Sequence, residues 1–221
     1  MGSTRTRWPL AHVLTGLIPS VSLTRTLEKP FPSWTISQGI DLWEIRVDLL
    51  SSSDPTFLAF RVATLRRFSN LPILFTLRTV NQGGKYKDPT DDVSASALDN
   101  LLRYALRLGV EYLDLQATFP KHLFQDLVSR KGNTSIIGSH HDWSGNISWT
   151  GQETRQVYEA LIRLGSDVVK IVNVAKNWED NIALRQFVGS VEENRTPLIA
   201  VNTLPQVSTE SERTKRRHTH W

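Results

Sequence analysis

The sequence predicts an α/β protein in which βα units repeat around a parallel sheet that closes as a (β/α) barrel. Strand and helix patterns alternate along the chain, with a strand about every 25–35 residues, as in repeated βα units. The strand segments are short and apolar, and no Gly-x-Gly-x-x-Gly turn follows the first of them. These features favour a barrel over a dinucleotide-binding sheet.

Seven segments have the composition of strands. Residues 41–50 alternate most clearly, with apolar side chains on one face and Glu44, Arg46 and Asp48 on the other. In a closed barrel this second face points inward, where ligands bind, although an internal ion-pair network would give the same pattern. The other predicted strands cover residues 20–27, 72–78, 112–116, 135–142, 167–172 and 197–203.

Helices are indicated by capping residues and by apolar residues at helical spacing. Ser53-Asp54-Pro55 is typical of an N-cap followed by a first-turn proline, and a short helix is expected within residues 31–38. Gly83-Gly84, after a predicted strand, indicates a close backbone approach or a mobile lid. The apolar positions that predict the other helices are Leu58, Val62 and Leu65; Leu98, Leu101, Leu102 and Ala105; Leu123 and Leu127; Val157, Ala160, Leu161 and Leu164; and Leu184, Phe187, Val188 and Val191.

The composition is that of an ordinary globular protein. The 221 residues are 39% hydrophobic and 22% charged, which suits one core and a single domain. The formal charge is +4, and much of it lies in residues 213–217, so nucleic-acid binding is not favoured. There is no cysteine, which excludes disulfides and thiolate metal sites. No run approaches the roughly 18 apolar residues that cross a membrane, and we expect a cytoplasmic protein.

Lys170 lies within the apolar run of residues 167–172. Burial disfavours a charged ammonium, and a neutral amine is a nucleophile that forms a Schiff base with a ketone. The alternative is a lysine at the end of a strand whose ammonium reaches solvent. The residues alone leave both interpretations open.

A pair of histidines, His140 and His141, lies near the end of the preceding predicted strand. A lysine and a histidine at corresponding ends of consecutive parallel strands would face one cavity. Histidine is the side chain best suited to acid–base work near neutral pH. We therefore expect this strand to carry an acid–base histidine beside Lys170.

Six segments form an ordered set that spans about residues 40–203. They are Glu44-Ile45-Arg46-Val47-Asp48, Phe75-Thr76-Leu77-Arg78-Thr79 with Gln82-Gly83-Gly84, Tyr112-Leu113-Asp114-Leu115, Ser139-His140-His141-Asp142, Val169-Lys170-Ile171 with Asp180-Asn181, and Pro197-Leu198-Ile199-Ala200-Val201-Asn202. Together they resemble type I 3-dehydroquinate dehydratase, most closely the domain within the fungal AROM polypeptide. The resemblance extends to the related domain of the fungal quinate-pathway repressor.

The resemblance implies a (β/α)8 barrel and a lyase that dehydrates 3-dehydroquinate to 3-dehydroshikimate without a metal or cofactor. Lys170 matches the family's Schiff-base lysine, and His141 matches its acid–base residue, which leaves His140 structural or pocket-lining. Glu44, Arg46 and Arg78 match substrate-binding positions. The expected partners are the small-molecule substrate and either a second copy of the chain or flanking domains of a larger polypeptide.

The sequence divides into three expected parts. Residues 1–18 are expected to be loosely ordered, residues 19–204 to form the dehydroquinase-like barrel, and residues 205–221 to form a polar basic tail. Seven strands can be counted, and no sequence remains for an eighth βα unit, so the barrel is expected to be incomplete at its C-terminal end.

Three positions depart from the family pattern. Gln116 stands where the family has a glutamate, Thr203 stands where it has a methionine, and Arg213 lacks the sequence context of the arginine that grips the substrate carboxylate. These departures keep two alternatives open: a catalytically impaired regulatory domain that binds quinate-like ligands or a protein partner, and an incomplete fragment. Retention of Lys170 and His141 favours the active enzyme. Another Schiff-base lyase, such as an aldolase, is disfavoured by the ordered motifs.

Overall fold

The fold is an α/β arrangement of six strands and five longer helices, seen in a computed structural model that describes residues 41–192 and 196–203. Short 3-10 helices at Val47–Leu49 and Val80–Gln82 follow the first two strands. The main elements, in chain order, are β1 Trp43–Arg46, α1 Pro55–Phe68, β2 Ile73–Thr76, α2 Asp92–Arg107, β3 Tyr112–Gln116, α3 Lys121–Arg130, β4 Ser135–Asp142, α4 Gln152–Arg163, β5 Val168–Val174, α5 Glu179–Val191 and β6 Leu198–Thr203.

All six described strands lie in one parallel sheet, in the order β1-β2-β3-β4-β5-β6. A helix connects each pair of neighbouring strands, as parallel pairing requires. The prediction of repeated βα units is therefore confirmed for the described part of the chain. The expected strand at residues 20–27, the expected helix within residues 31–38 and residues 205–221 lie outside the described residues.

Helix α1 begins where the sequence indicates. At α1 the Asp54 carboxylate accepts hydrogen bonds from the backbone N–H groups of Thr56 and Phe57, at 2.9 and 3.2 Å, and Pro55 occupies the first helical position. A proline is tolerated there because its missing N–H would have no partner within the helix. The cap and the proline together fix the start of this helix.

One face of the sheet is apolar and covered by the helices. Its buried residues belong to a single hydrophobic core with the inward faces of all five helices. From the sheet this core contains Trp43, Ile45, Ile73, Phe75, Leu113, Leu115, Ile136, Val169, Ile171 and Ala200. Because strand side chains alternate between the two faces, the residues between these positions project from the opposite face.

Strand β1 is shorter than predicted. The alternation suggested a strand through Leu50, but β1 ends at Arg46 and a 3-10 turn follows. Asp48 lies in this turn, where its carboxylate binds the Arg46 guanidinium and accepts from the backbone N–H of Lys85 at 3.1 Å. These bonds to a neighbouring loop account for the early end of the strand.

The glycine pair after β2 marks a close backbone approach, one of its two predicted roles. Gly83 has φ +77°, and a Cβ there would lie 2.2 Å from Nε1 of Trp143. A Cβ on Gly84 would lie 2.0 Å from the carbonyl oxygen of Arg78. The backbone therefore packs against neighbours that leave no room for a side chain.

Among the described helices, none has the length and apolar character needed to cross a membrane.

Candidate active site

The helices cover one face of the sheet. Most of the charged and hydrogen-bonding side chains of the sheet project from the other face. Paired residues of a parallel sheet project from the same face, and Gln116 pairs with Ser139, Ser139 with Lys170, and His141 with Val172. The register across the sheet places eight residues on this face: Glu44, Arg46, Thr76, Asp114, Gln116, Ser139, His141 and Lys170. Arg78 lies two residues beyond the end of β2, and its Nη2 atom lies 3.7 Å from Oδ2 of Asp114. We refer to these nine residues as the polar face. The structure therefore brings all five sequence-predicted site residues to one face.

Lys170 lies in the middle of β5 and is partly buried. Burial lowers the pKa of its amine, and the nearby guanidinium of Arg78 lowers it further, against the opposing attraction of Glu44 and Asp114. No hydrogen bond or ion pair joins its Nζ atom to another described residue. The amine is thus unengaged within this part of the chain and carries a larger neutral fraction than a lysine in water.

His141 is 3% exposed, and neither ring nitrogen has a hydrogen-bond partner among the described residues. Burial holds the pKa of the imidazole well below its ordinary value, and the positive charges of Arg78 and Lys170 depress it further. At neutral pH the ring is therefore uncharged, with one nitrogen free to accept a proton. His140 pairs with Ile171 and projects from the apolar side of the sheet, which favours a structural role over a pocket-lining one.

The two arginines of the polar face differ in how much of the guanidinium is already bound. Arg46 donates from Nε and Nη2 to the two carboxylate oxygens of Asp48, each at 2.8 Å, so one complete edge is occupied. Arg78 is 7% exposed, and its Nε and Nη2 atoms have no hydrogen-bond partner among the described residues. Nη2 of Arg78 forms a long ion pair with Oδ2 of Asp114, at 3.7 Å. Arg78 therefore retains the two-donor edge that matches a carboxylate.

Two buried carboxylates balance these cations. Thr76 Oγ1 donates to Glu44 at 2.8 Å, and Ser139 Oγ donates to Asp114 at 2.6 Å. Burial alone would raise the pKa of Glu44, but the charge of Lys170, the Thr76 hydrogen bond and the arginines together hold that pKa below its ordinary value. Glu44 is therefore an ionised hydrogen-bond acceptor at neutral pH.

The loop after β2 is bound to the histidine strand. Gln82 Oε1 accepts from the backbone N–H of His141 at 2.9 Å, and the Trp143 ring lies parallel to the His141 ring with centroids 6.2 Å apart. Sequence reasoning did not assign site roles to Gln82, Asp114 or Ser139. Period-two alternation along β3 and β4 could have placed Asp114 and Ser139 on the polar face, whereas the bond from Gln82 joins distant parts of the chain and has no local signal.

The described residues contain no group of three or more histidine, aspartate or glutamate side chains arranged to hold a metal ion. The site consists of an amine, an imidazole, two arginines and hydrogen-bonded carboxylates. Such a set can bind an anionic hydroxylated ligand, form an imine with a ketone and move a proton.

Fold and site together define a class, a parallel α/β protein whose polar sheet face collects nucleophilic, acid–base and cationic side chains. The chain belongs to the type I 3-dehydroquinase family, whose family model matches residues 33–206. This result confirms the family expected from the ordered motifs.

Individual relatives agree with this assignment. The Pentafunctional AROM polypeptide of Lachancea thermotolerans is 44% identical over 168 residues, which cover 76% of this chain and 10% of that polypeptide. The structure described as dehydroquinate dehydratase and shikimate dehydrogenase from S. pombe AroM is 34% identical with a TM-score of 0.68, over 75% of this chain and 32% of that one. The chain thus spans about a tenth of the length of the curated relatives it matches.

A more distant structure supports the fold alone. The type I 3-dehydroquinate dehydratase from Clostridium difficile, with covalently modified comenic acid, is 20% identical with a TM-score of 0.66, over 74% of this chain and 65% of that one. The α/β architecture with six parallel strands in sequential order is therefore shared with the family.

Proposed function

We propose that this chain dehydrates 3-dehydroquinate to 3-dehydroshikimate through an imine formed at Lys170. The observation that carries the proposal is the placement of Lys170 and His141 on one sheet face, both with pKa values lowered by burial. The nucleophile and the base are each shifted toward the neutral form that the reaction needs.

The reaction balances with these two groups alone. The neutral Lys170 amine adds to the substrate ketone, and loss of one water gives a cationic iminium. The iminium acidifies the neighbouring C–H, so the neutral His141 ring removes that proton and leaves an enamine. The enamine expels the β-hydroxyl, which leaves as water with the proton returned by His141, and hydrolysis of the resulting iminium releases the enone and restores the amine.

The other polar-face residues suit the remaining groups of the substrate. The Nε–Nη2 edge of Arg78, which has no hydrogen bond to the other described residues, provides two parallel N–H donors for oxygen atoms of the substrate. Glu44 is ionised and interacts electrostatically with Lys170. Its carboxylate provides an acceptor for a substrate hydroxyl. Arg46 is already paired with Asp48 and contributes positive charge with whichever donors that pair leaves free.

Similarity to dehydratase-bearing relatives favours catalysis over the regulatory alternative. The relatives described above are named as an AROM polypeptide and as dehydroquinate dehydratases. We further propose that the described sheet is part of a (β/α) barrel within residues 19–204, and that this barrel acts beside further domains. This extension is supported by the matched range of residues 33–206 and by the much greater length of the relatives.

Borohydride trapping tests the proposed chemistry. The protein is incubated with 3-dehydroquinate and sodium borohydride, and peptide mass spectrometry then locates the reduced adduct. We expect the adduct on Lys170, its loss in Lys170→Met and its retention in Lys176→Met, which changes an exposed lysine six residues further on. An ultraviolet assay for the conjugated enone then measures turnover. Folded wild-type protein that gives neither adduct nor enone would contradict the proposal.

A further inference from the structure

Gln116 is fully buried and binds the residue on each side of Arg78, through the backbone carbonyl of Leu77 and the side-chain hydroxyl of Thr79. Its Nε2 atom donates to the carbonyl oxygen of Leu77 at 2.7 Å, and its Oε1 atom accepts from the Thr79 hydroxyl, also at 2.7 Å. Leu77 and Thr79 are the immediate neighbours of Arg78 and are themselves 1% exposed. One side chain of β3 therefore fixes the three-residue segment that carries the guanidinium.

These two bonds need one donor and one acceptor, and an amide supplies both without taking up a proton. A carbonyl oxygen can only accept, so the atom that faces Leu77 has to be a donor, and the NH2 group of Gln116 satisfies this condition. An ionised glutamate in the same position would place an oxygen 2.7 Å from the Leu77 carbonyl oxygen, which is repulsive without a proton between them. Gln116 thus fits this structure better than the glutamate found in the family pattern.

We propose that Gln116 is the positioning residue for Arg78: it holds Leu77 and Thr79 so that the Nε–Nη2 edge of Arg78 makes no hydrogen bond to another described residue and stays available to the substrate. This inference rests on the proposed function for the identity of the ligand, whereas the placement of Arg78 stands on the contacts alone. The amide at this position is then a working part of the site and does not indicate a lost activity.

Charge on the polar face supports the same conclusion. A glutamate at residue 116 would add a second buried carboxylate on β3, two residues from Asp114, whose Oδ2 atom already lies 3.7 Å from Nη2 of Arg78 without a hydrogen bond. An internal Arg78–carboxylate pair would compete with the substrate for the same two donors. A neutral amide supplies the bonds to Leu77 and Thr79 without this competition.

The test compares Gln116→Glu with Gln125→Glu, which makes the same chemical change at an exposed position on α3. We expect Gln116→Glu to raise KM for 3-dehydroquinate about 10- to 100-fold, the range for losing a hydrogen-bonded charge contact, with a smaller fall in kcat. Arg78→Lys should give a KM increase of similar size. Gln125→Glu should leave both constants at the wild-type values.

A second readout does not depend on ligand. The Arg78 Nε–H resonance, assigned by its loss in Arg78→Lys, should shift in Gln116→Glu and stay in place in Gln125→Glu. Thr79→Val removes the bond to Gln116 and the bond from the same hydroxyl to Asn81, and it adds no charge. It should also shift the resonance in a folded protein, and it serves where Gln116→Glu does not fold. An unmoved resonance in the folded variant, or a fall in kcat with KM unchanged, would overturn the inference. Wild-type protein that fails to form the imine would instead overturn the proposed function, while the resonance still decides the positioning role.

Discussion

The surroundings of His141 suit both halves of a proton shuttle. Burial and the positive charges of Arg78 and Lys170 keep the ring neutral, so it can accept a proton without first losing one. Once protonated, the imidazolium lies among other cations and is a stronger acid than imidazolium in water. The same environment that prepares the base therefore favours return of the proton to a leaving hydroxyl.

Replacing His141 should separate imine formation from dehydration. His141→Gln removes the proton carrier and leaves the Lys170 amine in place, so we expect turnover to fall about 10²- to 10⁴-fold while borohydride still traps substrate at Lys170. Initial rates of enone formation and adduct mass are the two measurements.

The neighbouring histidine provides the matched control. His140 projects from the opposite side of the sheet, so His140→Gln should keep turnover within about threefold of wild type, a change of less than one kcal/mol in the barrier. Wild-type turnover in His141→Gln, or equal losses in both variants, would contradict the assigned role.

At the scale of elements, the loop of residues 79–86 connects three strands of the site. It binds the turn after β1 through Lys85 N–H and Asp48, it binds β3 through Thr79 and Gln116, and it binds β4 through Gln82. Gly83 lies beneath the Trp143 ring at the centre of these contacts. The loop is therefore expected to act as a fixed wall of the site.

Gly83→Ala should show this close packing directly. Both Gly83 and Gly109 have positive φ, at +77° and +65°, but a Cβ on Gly83 would meet Trp143 at 2.2 Å whereas a Cβ on Gly109 would meet nothing within 4 Å. We expect backbone strain to lower the free energy of unfolding by about 1–2 kcal/mol in each variant. Overpacking against Trp143 should lower it by a further ~1–3 kcal/mol in Gly83→Ala alone. Urea denaturation of the two variants measures the difference. An equal loss of stability in the two variants would contradict this prediction, because it would mean that the Trp143 ring moves aside without a free-energy cost.

For the whole molecule, the lowered histidine pKa values make stability depend on pH. The pKa of His141 is well below its ordinary 6.5, and burial lowers that of His140 as well. Below pH 6.5 the unfolded chain therefore binds protons that the folded chain does not, and unfolding becomes more favourable as pH falls. The carboxylates with lowered pKa values have ordinary values of 4.5 or 3.8, so their contribution is lost at more acidic pH.

We accordingly expect the free energy of unfolding to fall as pH is lowered from about 7.5 to about 5.5. The free energy of unfolding should fall less in His141→Gln, because glutamine binds no proton at that position. His140 should account for part of the pH dependence that this variant retains. Urea denaturation at a series of pH values measures the two slopes. Identical slopes in wild type and His141→Gln would contradict a buried neutral His141.

Local sequence was sufficient for most of the fold. The start of α1 follows from Asp54 and Pro55, whose bonds and backbone geometry depend only on near neighbours. The faces of β1 follow from the alternation of Trp43 and Ile45 with Glu44 and Arg46. The end of β1 could not be predicted, because Asp48 is held by Arg46 and by a loop nearly forty residues further along the chain.

The sequence by itself determined the family, the order of the βα units and the residue types available for chemistry, because periodicity and motifs are properties of adjacent residues. Only the tertiary structure decided how those side chains are used. It placed Lys170 and His141 on one face, left the Nε–Nη2 edge of Arg78 without a hydrogen bond among the described residues, and bound Gln116 to the Leu77 carbonyl and the Thr79 hydroxyl. Each of these outcomes depends on strand register and on contacts between distant segments, and the free energy of burial acts on a side chain only after the surrounding strands have assembled.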